Sequence, residues 1–457
     1  MPRILIVATD VVATRMAGPG IRCFELARQL QQAGHQVTLT AGGRADFETP
    51  AMVLVPQPTP VQMDALARRQ DAILVQGFAL RAFPSLRTVN VPLIVDLYDP
   101  FPLSLLEQEK HRPDRERQAH SLEVQGILDE MLSCGDFFLC ASERQRDLWI
   151  GALVAAGRVN PRTWSADDSL RHLIDVVPFG LPDVPPQASG KRPPGFPGGV
   201  SAGDLVVIWG GGIYNWFDPL TLIRAVSQIA PRQPRLKLVF MSTDHPNPGV
   251  PAQMWMPQRA RQLAVDLGLE GRQVFFNQEW VPYQRRADWL MAADCGVSTH
   301  FNHAETRYSF RTRILDYLWA GLPIIATEGD VLADLVHARR LGWTVPAEEV
   351  DPLAQALEEM VTGEAERQST SDRVRATAAE MTWGRAAQPL LRFCGELQLA
   401  ADSPRDRLRR TGPPSATRLR VQRPERLVRA GLASVQQQGL AATSRRVRDW
   451  WRRRRMP

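Results

Sequence analysis

The stretch Glu305-Thr306-Arg307-Tyr308-Ser309-Phe310-Arg311-Thr312-Arg313-Ile314-Leu315-Asp316-Tyr317-Leu318-Trp319-Ala320-Gly321-Leu322-Pro323-Ile324-Ile325-Ala326 decides how this chain is read. A loop rich in arginine and hydroxyl side chains runs into a helix, the helix stops at Gly321, and an apolar run of strand length follows. Arginine presents a fork of donors that matches phosphate oxygens, and a helix start adds free N–H groups and a favourable dipole. Arg311 and Arg313 are therefore expected to neutralise phosphate, and Asp316, inside the helix, to accept from ribose hydroxyls. The alternative is a surface helix with solvated arginines.

The flanking sequence supplies the context. Residues 295–298 form an apolar run just before the loop, so the arginines sit at the C-terminal end of a strand, where ligands bind in open α/β sheets. Short Val/Ile/Leu runs at 205–209, 236–241, 274–276, 295–298 and 323–326 alternate with helical patterns at 219–230, 259–267, 351–361, 374–381 and 383–399. The first half repeats this organisation, with strands at 4–8, 36–40, 72–76, 93–97 and 137–141 and a helix at 21–33. Continuous apolar strands separated by helices imply parallel sheets covered on both faces. The fold class is thus α/β, two doubly wound Rossmann-like domains facing a central cleft. The expected boundaries are 1–182 for the first domain, 183–204 for a Pro/Gly-rich linker, 205–385 for the second domain, 386–400 for a C-terminal helix and 401–457 for a basic tail, partly helical or disordered.

Composition agrees with a folded two-domain protein: 457 residues, 44% hydrophobic and 23% charged. No apolar run reaches the ~18 residues of a membrane span, and no signal peptide is evident, so a cytoplasmic location is expected. Five scattered cysteines (Cys23, Cys134, Cys140, Cys295, Cys394) lack metal-type pairing and read as small apolar residues. Residues 401–457 carry 16 arginines, no lysine and four acids, a net +12 in a chain of +6, which leaves the first 400 residues at −6. Arginines beside Trp450 and Trp451 suit an anionic membrane surface, with a solvated tail as the alternative; an acidic body argues against a nucleic-acid partner.

Two further segments fall at strand ends of the first domain. Met16-Ala17-Gly18-Pro19-Gly20-Ile21-Arg22 joins a strand to a helix start, where Gly18 and Gly20 would let backbone approach an anionic donor. It is not Gly-x-Gly-x-x-Gly, and no suitably placed acid follows for a dinucleotide ribose, which counts against a dehydrogenase. Asp96-Leu97-Tyr98-Asp99-Pro100-Phe101 places two acids at a strand end, where an acceptor hydroxyl can be bound or deprotonated, with helix capping and turn formation as the alternative.

Together these segments resemble the retaining family 4 glycosyltransferases (glycosyl transferases group 1) of the GT-B fold, over about residues 3–395. The resemblance rests on the 305–326 stretch, on Trp209-Gly210-Gly211-Gly212-Ile213, on Trp280-Val281-Pro282-Tyr283 with Trp289-Leu290-Met291-Ala292-Ala293-Asp294, and on the first glycine turn. It implies transfer of a sugar with retention, from a nucleotide-diphosphate sugar to a glycan or lipid-linked glycan of surface polysaccharide synthesis, without a metal or other cofactor. It assigns donor contacts to Gly211, Gly212, Tyr308, Ser309, Phe310, Arg313 and Asp316, and catalytic roles to Asp99, Glu305 and Arg311. Counting back from Gly321, the family's second acid falls at Asp316 and its first at Tyr308, so Glu305 is the expected substitute. The family's Arg and Lys after the second glycine opening are missing; Asn215-Trp216-Phe217-Asp218 stands there. An epimerase or a non-catalytic sugar-nucleotide binder on the same fold is the alternative.

Overall fold

A computed structural model describes residues 1–43, 45, 52–187, 193, 195–243, 245–247 and 254–403. Within Met1–Ser403 two parallel sheets carry the molecule. The first contains β1 (Arg3–Val7), β2 (Gln36–Ala41), β3 (Val53–Pro56), β4 (Ala72–Gln76), β5 (Leu93–Asp96), β6 (Phe137–Cys140) and β7 (Ile174–Val176), in the order β3-β2-β1-β4-β5-β6-β7. The second contains β8 (Leu205–Trp209), β9 (Leu236–Phe240), β10 (Val274–Phe276), β11 (Cys295–Ser298), β12 (Ile324–Thr327) and β13 (Gly342–Val345), in the order β10-β9-β8-β11-β12-β13. Every pairing is parallel, with Ile4 beside both Val37 and Ala72, and Val207 beside both Leu238 and Cys295.

The order reverses between β1 and β4 and between β8 and β11. Those are the points at which loops part to opposite faces and leave a crevice. Alternate residues of β8 enter separate cores: Val206 and Ile208 pack with the helices Arg286–Leu290 and Thr312–Ala320, while Val207 and Trp209 pack with Pro219–Ile229 and Met256–Asp266. Burial on both faces is what the unbroken apolar strands require.

β4, β8, β10 and β11 coincide with their expected limits. The edge strands β3 and β13 and the three-residue β7 escaped the sequence reading, because they are short and β3 and β13 are half-exposed. The long helix expected at 383–399 is instead two short ones, Trp383–Ala386 and Gln388–Gly395. Pro389 lacks an N–H and crowds the preceding turn, so it starts a helix rather than continuing one.

The C-terminal segment returns to the first domain. Leu181 and Trp383 bracket a parallel bridge at Leu181–Thr382, with hydrogen bonds Leu181 N to Met381 O (2.7 Å) and Trp383 N to Leu181 O (2.9 Å). Phe393 stacks on Phe137 with 4.4 Å between ring centres. Arg158 holds Asp402 through two bonds of 2.9 Å, both side chains buried. Residues 386–403 therefore pack on the first domain, and the order extends past the expected start of the tail at 401. The rest of the tail, 404–457, lies outside the described residues. Of the five cysteines, four are buried and Cys134 is half-buried; all are free thiols, and burial pushes Cys140 and Cys394 up to about 12.

Candidate active site

Between the C-terminal ends of the two sheets lies a cavity of about 380 Å³ lined from both domains. From the first come the loop after β1 and the start of the helix Gly18–Gln32, together with Tyr98, Asp99 and Ser104 after β5. From the second come Gly210-Gly211-Gly212 after β8, Trp280 and Val281 after β10, and Glu305, Ser309, Phe310, Arg311, Thr312, Arg313 and Asp316 after β11.

The glycine turn after β8 is fixed from the opposite side. Tyr317, in the helix Thr312–Ala320, accepts from Gly210 N (2.8 Å) and donates to Val297 O (2.8 Å) through its hydroxyl. Its ring fills the place a Cβ on Gly296 would take, at 2.2 Å. Gly211 has φ +71, a left-handed conformation that favours glycine, and a Cβ there would meet open space. The turn thus presents bare backbone to the cavity.

Arg313, at the start of that helix, reaches over the turn. It donates from Nη2 to Gly212 O (2.9 Å), and its guanidinium carbon stands 3.8 Å from the ring centre of Phe217 and 4.3 Å from that of Trp209. Burial pushes its pKa down to about 10. Among the described residues it makes no ion pair, and its Nη1 is buried without a partner. A buried cation lacking a carboxylate is costly unless an anion completes it.

Arg311 is differently committed. It grips Glu305 with two bonds, 2.6 Å from Nη2 to Oε2 and 3.1 Å from Nη1 to Oε1. Ser309 Oγ donates to the same carboxylate and to the Glu305 carbonyl. The structure therefore separates the two arginines: one grips Glu305, the other forms no ion pair among the described residues.

Asp96 and Asp99 are also separated. Asp96 is sealed in a buried bidentate pair with Arg22 (2.7 and 2.9 Å), whose guanidinium stacks on Tyr98 and Phe179. The expected pair of acids at this strand end is thus a single acid at the cavity. Asp99 accepts from Ser104 Oγ (3.2 Å), and burial, then the charge of Glu305, raise it to about 7.

Two expected donor contacts lie elsewhere. Gly20 does not line the cavity; a Cβ there would sit 2.1 Å from Val11 O, so the glycine serves close packing of helix on loop. Tyr308 also stays off the cavity, its carbonyl accepting from Gln145 Nε2 (2.8 Å) and its ring beside Arg307. The short helix Ala304–Tyr308, capped by His303 Nδ1 accepting from Thr306 N, turns residue 308 toward the first domain and residue 305 into the cavity. Gly18, Gly211, Gly212, Ser309, Phe310 and Asp316 do line it. The sequence reading passed over Arg286, which lines the cavity, bonds Asp316 Oδ1 (3.0 Å) and lies on the rings of Tyr283 and Trp319; an Arg just after Val281-Pro282-Tyr283 was its only signal. His300 is structural, its Nε2 3.1 Å from Asp330, which caps the helix Val331–Arg339.

Two doubly wound parallel sheets with a cavity between their C-terminal ends form the GT-B fold. Residues 204–362 match the family described as Glycosyl transferases group 1. Sucrose-phosphate synthase from Thermosynechococcus elongatus has the same fold (TM-score 0.65, 15% identity, 87% of this chain and 99% of that one). So do WaaG, a glycosyltransferase involved in lipopolysaccharide biosynthesis (0.61, 13%, 86% and 100%), and Anabaena HepE in complex with UDP and glucose (0.62, 15%, 87% and 100%). No curated protein matches the sequence.

Proposed function

We propose that the chain moves a sugar, with retention of anomeric configuration, from a nucleotide-diphosphate sugar to a glycan or lipid-linked glycan acceptor. The observation that carries this reading is Arg313: a buried guanidinium that lines the cavity, held against the Gly212 carbonyl and two aromatic faces and in no ion pair among the described residues. It stands over the turn whose family Arg and Lys this sequence lacks. A diphosphate there would receive Nη1, the N–H groups of the helix start and the bare turn after β8, which is electrostatic stabilisation of a leaving group. That arrangement calls for no metal. Anabaena HepE has also been solved in complex with UDP-glucose, a donor of the required kind.

In this reading Glu305, oriented by Arg311 and Ser309, contacts sugar hydroxyls, Asp316 accepts from the ribose, and Asp99 orients the acceptor. A departing phosphate oxygen takes the acceptor proton, so no separate base is required. Among the described residues no helix is long and apolar enough to cross a membrane. We place the protein in the cytoplasm, with the +12 tail drawing it to an anionic membrane surface where a lipid-linked acceptor resides.

Titrating UDP into the native chain and into Arg313→Ala tests the assignment. Loss of one charge-assisted contact lowers affinity by about 10- to 100-fold; unchanged affinity removes the diphosphate from this site. Proton NMR of the product's anomeric centre tests retention.

A further inference from the structure

Beside the main cavity lies a second one of about 200 Å³, which the donor reading leaves unused. The two share Gly212, Tyr214, His245, Met254 and Trp280. Gly212 forms the neck between them: a Cβ there would stand 3.0 Å from the Trp280 ring and 3.3 Å from the Tyr214 ring. Trp280 is locked in place by donation from Nε1 to Met16 O (3.1 Å), across the domain boundary.

The walls of the side cavity are aromatic and neutral. His245 meets Trp280 edge-on at 5.2 Å and Tyr214 at 5.9 Å, and Phe276 closes the far side. Burial lowers the pKa of His245, which keeps its ring uncharged. Gln258 and Gln278, both exposed, also line it, and neither side chain is hydrogen-bonded to another described residue. Arg261, the one cation among the described lining residues, is already paired with Glu270 (3.1 Å). Rings with uncommitted neutral amides suit a polyhydroxylated ring: C–H faces pack on the aromatic planes, and each amide offers both donor and acceptor to neighbouring hydroxyls. Among the described residues an anion finds no unpaired cation here.

Position decides which part of a substrate reaches it. Asp316 and Arg286, at the nucleoside end, pack on the Val206/Ile208 face of the second sheet. The side cavity borrows Pro257 and Gln258 from the helix Met256–Asp266, on the Val207/Trp209 face. It therefore lies away from the ribose, on the side where Asn247 bonds Asp10 of the first domain (3.0 Å).

We propose that this side cavity is an acceptor subsite for a sugar ring one unit removed from the hydroxyl that receives the transferred sugar. The proposal rests on the transfer reading above. The full chain is assayed with a panel of nucleotide sugars and with p-nitrophenyl glycosides of one, two and three hexose units. Supporting the subsite, kcat/KM rises about tenfold from one unit to two, and a Gln258→Ala/Gln278→Ala variant loses that gain, the worth of two hydrogen bonds, with its monosaccharide rate and donor KM unchanged. Equal kcat/KM at every length, or a gain that survives in the variant, overturns it. Saturation-transfer NMR with free maltose, cellobiose and lactose is independent of turnover. A signal in the native chain that the variant lacks supports the subsite, and no signal in either refutes it. No transfer from any donor, with such a signal present, sinks the transfer reading alone.

Discussion

Gln145 donates a hydrogen bond of 2.8 Å to the backbone carbonyl of Tyr308, across the seam between the two domains. The same amide nitrogen donates at 2.8 Å to Tyr98 O, and its oxygen accepts from Ala141 N. One buried side chain thus holds the residue before Asp99 and the residue before Ser309 at a set separation. Gln145→Ala leaves these carbonyls and the Ala141 N–H without that partner, at a cost of about 1–3 kcal/mol. Thermal unfolding reads that loss. If Gln145 also registers Asp99 against Glu305, kcat falls while UDP affinity holds.

Glu305 and Arg311 are a buried pair, and removing one leaves the other uncompensated. Glu305→Ala and Arg311→Ala are each expected to destabilise by about 3–5 kcal/mol. The double variant should cost less than the two together by about 0.5–3 kcal/mol, a coupling that urea denaturation of all four proteins measures.

Asp99 gives a pH signature. Its carboxyl, raised to about 7 by burial first and Glu305 second, binds its proton more tightly folded than unfolded. The stability this contributes is complete below the ordinary carboxylate value of 3.8 and is lost as pH rises to about 7. Relative to Asp99→Asn, the native chain should lose melting temperature across that window and run parallel above it. Glu305→Gln should move the upper limit down.

Tyr317→Phe removes one oxygen that serves two backbone groups. Gly210 N–H and Val297 O lose a shared partner in a buried place, a penalty of about 1–3 kcal/mol in melting experiments. Because Gly210 opens the turn beneath Arg313, UDP titration should show weaker binding as well.

Asp402→Ala strands the buried Arg158 guanidinium, which among the described residues then keeps hydrogen bonds to the carbonyls of Leu132 and Gly135 and the face of Phe138 but no carboxylate. A loss of about 3 kcal/mol or more is expected in chemical denaturation.

The parallel sheets were legible because double-sided burial writes unbroken Val/Ile/Leu runs, as in Ala72–Gln76 and Leu205–Trp209. The arginine-bearing loop was legible because Gly321 punctuates its helix: φ there is +71. The division of labour between Arg311 and Arg313 was not. Two residues apart, they differ in which partners the fold brings near, Glu305 for one and the Gly212 carbonyl with Phe217 for the other, and no local pattern encodes that. The same holds for Asp96, whose partner Arg22 is 74 residues away. Gln145 gave no signal, since its three contacts come from three segments.

The return of residues 382–403 to the first domain has a mechanical corollary. Two strands of chain, rather than one, now run between the halves: the stretch after Leu181 and the stretch before Trp383, bonded side by side at the crossing. A single strap would let one half swivel freely against the other. The hydrogen bonds between the two crossings resist twisting at the point where the chain passes from one half to the other, as two cords laced together resist a turn that one alone would allow.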